Sequence, residues 1–121
     1  MVTSSELFRP ISVSNRNLQK GWTSMYARVT TIQFQQGKFE EGMQLARESV
    51  EPAVRQQSGL KSFLALQDSS TGKAMLITLF ESEAAAKAGV SSGFVQQQTA
   101  KIASTLAGTP ITEFYEVAAQ E

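Results

Sequence analysis

The sequence predicts an α+β domain with the element order β-α-β-β-α-β, and three observations carry that prediction. Between Gly59 and Ser82, GLKSFLALQDSSTGKAMLITLFES holds two apolar, strand-like runs joined by a polar turn. A helix-patterned segment lies on each side of that pair, and a further strand-like run lies outside each helix.

Tyr26 to Phe34, YARVTTIQF, is dense in β-branched and aromatic residues, the composition of a strand. After Gln36 and Gly37 the period changes. Phe39, Met43, Ala46, Val50, Ala53 and Val54 recur at spacings of three and four, which places one apolar stripe along a helix. Pro52 sits inside the stripe and lacks a backbone donor, so a kink or break is expected near Glu48 to Glu51. Gly59 then suits a left-handed helix end.

Leu60 to Gln67 and Ala74 to Phe80 are the two paired strands, with Asp68 to Gly72 supplying the acceptors and the permissive backbone of a hairpin loop. Ser82 is placed to cap the second helix, with Glu83 favoured in its first turn. Gly89, Ser91, Ser92 and Gly93 predict a break in that helix. Phe94, Gln98, Ile102 and Leu106 resume the stripe, Gly108 to Pro110 stop it, and Ile111 to Val117 reads as the last strand. Residues 1–25 read as an N-terminal arm, whose Phe8, Ile11, Val13 and Trp22 are able to dock on the domain or on a partner.

Composition narrows the chemistry. The chain has 121 residues, enough for one domain with its own core. Eleven basic and eleven acidic residues give no net charge, so no nucleic-acid partner is expected. No apolar run approaches a membrane span and the N-terminus lacks a signal-peptide core, so the expectation is a cytoplasmic protein without a membrane partner. Cysteine and histidine are both absent. That removes thiolate nucleophiles, the usual general base near neutral pH and the commonest metal and haem ligands.

The element order describes a ferredoxin-like fold: a four-stranded antiparallel sheet with both helices on one face. Strand alternation sorts the side chains into two sets. Leu60, Leu64, Leu66, Met75, Ile77 and Leu79 match the helix stripes and are expected beneath the helices. Phe63, Ala65, Leu76, Thr78 and Phe80, with Thr30, Ile32 and Phe114, are expected on the uncovered face. An uncovered face this apolar predicts a homodimer closing sheet against sheet, with a cavity between the sheets lined by aromatics and threonines.

The segments YARVTTIQFQQGKFEEG, EPAVRQQSGL, DSSTGKAMLITLFES and SEAAAKAG resemble the dimeric α+β barrel superfamily. Within it they are most similar to antibiotic biosynthesis monooxygenase (ABM)-like domains, over residues 26–118. That resemblance implies a homodimer and, among the activities of its members, cofactor-independent oxidation of quinols or phenols, haem degradation or isomerisation. Haem-degrading members carry Trp where Phe80 stands, an Asn near Thr30 and a haem-ligating His near Gln97 or Gln98. None of these is present here. Isomerase-like members and several monooxygenases use His as well, which this chain lacks. What the resemblance leaves is oxidation of a small aromatic that acts as its own reductant, with no cofactor and no metal, the protein orienting and polarising it.

Arg28 and Thr30 are the candidate catalytic residues; Phe63, Thr78, Phe80 and Phe114 are the candidate substrate-binding residues. Arg28 interrupts a central strand. It either faces the cavity and stabilises a phenolate, carboxylate or peroxide, or pairs with Glu113 or Glu116 on the neighbouring strand. Thr30 and Thr78 either bond a ligand or serve as good strand formers, and the phenylalanines either stack on an aromatic or fill an interface. Two functions follow: a monooxygenase-like protein acting on a quinol or phenol, or a non-enzymatic dimer that binds a small hydrophobic ligand or has an accessory role.

Overall fold

The computed structural model describes residues 25–120, so the arm residues Phe8, Ile11, Val13 and Trp22 lie outside it. Strand β1 spans Tyr26–Gln33. Helix α1 (Phe39–Leu45) runs into a π-helical turn, Ala46–Val50, and continues as the short helix α2, Glu51–Val54. Strands β2 (Leu60–Asp68) and β3 (Lys73–Phe80) form the central hairpin. Helices α3 (Glu83–Ser91) and α4 (Phe94–Ile102) follow, then a 3-10 turn at Ala103–Thr105 and strand β4, Ile111–Glu116.

The expected disturbance at Pro52 is the π turn. Proline removes the donor that would reach back one α-turn and crowds that carbonyl, so the backbone widens just before it. Lys101 Nζ donates to the Ser49 carbonyl at 3.0 Å and Ser49 Oγ to the Leu45 carbonyl at 2.7 Å, which occupies groups the widened turn leaves over. Gly59 has φ +80°, the left-handed end foreseen for this helix. The break in the second helical segment falls at Ser92 and Gly93, where Gly93 has φ +87°; α3 runs unbroken through Gly89. Ser82 Oγ accepts from Ala85 N at 3.1 Å and caps α3.

The sheet order is β2-β3-β1-β4, every neighbouring pair antiparallel, with β1 and β3 central. Phe34 just beyond β1 is buried with Met43 of α1, Ala74 of β3 and Ile102 of α4, and Ile32, Phe39, Val50 and Leu106 pack around them. Phe34 and Phe39 meet edge to face at 5.7 Å. No helix among the described residues is long and apolar enough to cross a membrane.

The two sheet faces are the reverse of the sequence expectation. Arg28, Thr78 and Phe80 are 3%, 1% and 0% exposed, and Arg28 reaches the Ala86 carbonyl on α3, so this set lies beneath the helices. Leu64, Leu66, Ile111 and Tyr115 are exposed, Leu64 by 54% and Ile111 by 60%. Through the strand register, Met75, Ile77 and Leu79 share that open face. The aliphatic set therefore forms the open face, and the aromatic and threonine set packs against the helices. Leu60 is the exception. A bulge between Leu60 and Ser62 sets Leu60 opposite Phe80, on the helix side where it was expected.

Candidate functional site

Register places four of the candidate residues in one line across the sheet. Phe63 pairs with Thr78, Thr78 with Arg28, and Arg28 with Phe114, which makes a transverse row on the helix-covered face. Thr30 lies two residues along β1, opposite Leu76 and Thr112, and Phe80 two residues along β3. Phe63 stands about 10 Å from Arg28, two strand spacings away, and Phe114 about 5 Å away, on the adjacent strand. Each is covered by a different cation: Arg55 over Phe63 at 4.9 Å, Lys87 over Phe114 at 5.7 Å. The row thus has a buried centre at Arg28, Thr78 and Phe80 and two edges closed by surface side chains.

At the centre, the Arg28 guanidinium stacks on Phe80 with Cζ 4.9 Å from the ring centroid, and stands 6.0 Å from that of Phe94 on α4. Nη2 donates to Gln57 Oε1 at 2.9 Å, and Nη1 to the Ala86 carbonyl at 3.3 Å. Glu113 pairs with Val29 and so points to the opposite face. The ion pairs among the described residues are Lys38–Glu41 and Lys87–Glu83, both at the surface, so no described carboxylate partners Arg28. Burial lowers the guanidinium to about 10, well below its ordinary value.

Room for that side chain comes from a missing one. A Cβ at Gly89 would overlap Arg28 Nη1 and lie 3.3 Å from Gln57 Oε1. Gln57 Nε2 donates in turn to the Val54 carbonyl at 3.2 Å, which turns its oxygen toward the cation. Outside this contact lies a groove of about 200 Å³, lined by Gln57, Ser58, Ala85, Gly89, Ser92 and Phe94. One helical turn beyond Phe94, on the same side of α4, Gln98 Oε1 is buried without a hydrogen-bond partner among the described residues. The Thr78 hydroxyl donates to the Arg28 carbonyl at 3.1 Å and braces β3 against β1.

Gln57, Gly89, Phe94 and Gln98 were not candidates from the sequence. Gly89 carried a signal, since glycine inside a helix costs about 1 kcal/mol against alanine and asks for a packing reason. Gln57 carried none of its own: it lies in a loop within the EPAVRQQSGL segment, 29 residues from Arg28, and no local spacing links the two. Among the described residues no cluster of carboxylates suited to a metal ion occurs. The arrangement is a buried cation between aromatic rings, with amide groups beside it and a groove leading in. It is able to hold a small planar anion.

Comparison with known proteins agrees with this architecture. The structure of NE2512, a protein of unknown function from Nitrosomonas europaea, superposes with a TM-score of 0.69 at 19% identity, over 84% of this chain and 96% of that one. A conserved protein from Methanosarcina mazei Go1 gives 0.64 at 13% identity, covering 80% and 96%. The ActVA-Orf6 monooxygenase of Streptomyces coelicolor, solved with the ligand Nanaomycin D, gives 0.65 at 16% identity, covering 82% and 92%. At these identities the likeness is one of fold. Among curated proteins no match is found. The family described as antibiotic biosynthesis monooxygenase matches residues 25–98, more than half of the sequence, and the chain therefore belongs to that family.

Proposed function

We propose that this protein is a cofactor-independent, monooxygenase-like oxidase of a small phenol- or quinol-type aromatic, with its site between the sheet and helices α3 and α4. The observation that carries this reading is Arg28, a buried cation with no carboxylate partner among the described residues. Such a charge is costly to bury, and an anionic substrate offsets that cost. The substrate's phenolic proton leaves to water through the groove, and Arg28 holds the resulting anion. Phe80 and Phe94 flank the guanidinium, Phe94, which also lines the groove, lies against the substrate ring, and the unpartnered oxygen of Gln98 one turn along α4 is free to accept from a second hydroxyl.

The carbanion-like form of the substrate then reduces oxygen itself. At a ring CH2 the balance is CH2 + O2 → C=O + H2O: carbon gives up four electrons, one oxygen atom enters the product and the other leaves as water. The protein's part is to orient the ring and stabilise the anion. Oxygen uptake with a panel of quinols and anthrones tests this. Turnover that falls at least tenfold in Arg28→Ala supports the reading, and absence of turnover with every member of the panel removes it.

A non-enzymatic ligand-binding or accessory role is the second reading. The open face bears on both, because Leu64, Leu66, Ile111 and Tyr115 form an exposed apolar surface suited to a second copy of this chain. A dimer through that face buries the aliphatic set and leaves the Arg28 site under its own helices. Light scattering at micromolar concentration with Leu64→Lys tests it: the wild type is expected to be dimeric and the variant monomeric, and an unchanged dimer in the variant excludes that face.

A further inference from the structure

We infer that the groove above Gly89 is a carboxylate-specific binding site, in which Gln57 Oε1 holds the place of a substrate carboxylate oxygen on Arg28. This rests on the reading of Arg28 as an anion anchor and goes beyond it by naming the group recognised, the route in and the residue displaced. Three observations carry it.

The first is continuity. Gln57, Gly89 and Phe94 each contact or closely approach the Arg28 guanidinium and also line the groove of about 200 Å³. The cation thus lies directly behind three of the groove's lining residues. At about 30 Å³ per water that volume holds about seven waters, or one six-membered ring with a carboxylate.

The second is chemical. A guanidinium presents a planar fork that matches a carboxylate with two parallel bonds, yet here Nη2 meets a neutral amide oxygen and Nη1 a backbone carbonyl at 3.3 Å. Both acceptors are uncharged and weaker than a carboxylate. An incoming carboxylate improves on the Gln57 oxygen at the same position, and the displaced glutamine turns toward solvent.

The third is steric. The approach exists because residue 89 has no side chain, and a methyl group there would occupy the space of Arg28 Nη1. Phe94 stands where its ring lies against a planar ligand entering past α3.

Titration with benzoate, followed by amide NMR shifts, tests the proposal, with benzamide as the neutral isostere. Saturable shifts centred on Gln57, Gly89 and Phe94 are expected for benzoate, with affinity at least tenfold higher than for benzamide. Gln57→Glu supplies the carboxylate internally, so it should raise the melting temperature and weaken benzoate at least tenfold. Arg28→Gln should weaken it as much without the rise in melting temperature, and Gln57→Ala should bind benzoate at least as tightly as wild type. Equal affinity for benzoate and benzamide, shifts that map elsewhere, or Gln57→Glu binding like wild type would each overturn it. Benzoate is not oxidisable in the proposed reaction, so binding without any quinol turnover retains this site and removes the activity, while turnover without benzoate binding does the reverse.

Discussion

The space between sheet and helices has two ends built on different physics. Under α1 and the π turn, Phe34, Met43, Ala74 and Ile102 make a wholly apolar cluster around a residual cavity of about 50 Å³. Under α3 the same sheet face carries Arg28, Thr78 and Phe80, as deeply buried but arranged round a charge. The first end is stabilised by area removed from water and by close packing. The second holds a cation whose desolvation works against folding, with aromatic faces and neutral acceptors for company. A protein that needed only stability would fill both ends in the first way. That contrast is what supports the proposal of a functional site at the α3 end.

Phe34→Ala should show the largest effect. It empties the apolar end, and loss of about 3 to 5 kcal/mol is expected in urea unfolding; a loss under 1 kcal/mol would show that this cluster is not what holds the fold together. Gly89→Ala comes next. The new methyl group displaces the guanidinium at a cost of about 1 to 3 kcal/mol, against a helix-propensity gain of about 1 kcal/mol. Combining it with Arg28→Ala should remove the penalty, and strict additivity in that double-mutant cycle would deny the Gly89–Arg28 contact. Ser82→Ala deletes the cap of α3 and should cost about 1 kcal/mol. Thermal unfolding reads it, with the apolar end left intact.

The smallest effect on stability is the most telling. Arg28→Met is expected to be neutral to stabilising by about 1 kcal/mol, because it removes a buried charge while keeping the stem volume, and to abolish anion binding. Destabilisation as large as that of Phe34→Ala would instead make Arg28 a structural residue. The pH dependence adds a check of sign. The folded-state value of Arg28 is lowered to about 10, so between that and the ordinary arginine value the unfolded chain retains a proton the folded one has released. Wild type should therefore gain stability relative to Arg28→Met as pH rises from about 10, and a relative loss there would contradict burial as the cause.

Much of the fold was legible because its signals are local. The change of period from two to three-and-four separated β1 from α1, Pro52 located the widened turn, Asp68 to Gly72 the hairpin and Ser82 the cap. In the site, Arg28 stood out as a charge in a central strand, and Thr78 and Phe80 shared its parity. Two contacts were not legible. Gln57 meets Arg28 only after the chain has turned back on itself, and Gly89 resembled part of a helix break until the side chain filling its missing Cβ was seen. The arm residues Phe8, Ile11, Val13 and Trp22, read from the sequence as able to dock on the domain or a partner, lie outside the described residues.

What the sequence determined by itself was the order and kind of elements and the division of each strand into two sets, because backbone propensity and alternation act within a few residues. Which set lies under the helices was decided only by tertiary structure. Alternation separates two faces without labelling them, and both sets here are apolar enough to be buried. The label comes from packing. Phe34 fits between α1 and α4, the Arg28 stem and Phe80 fit beneath α3 beside Gly89, and a single bulge after Leu60 shifts the parity of one strand. Those choices moved the candidate site from the open face to the space between sheet and helices, and left an aliphatic face outside.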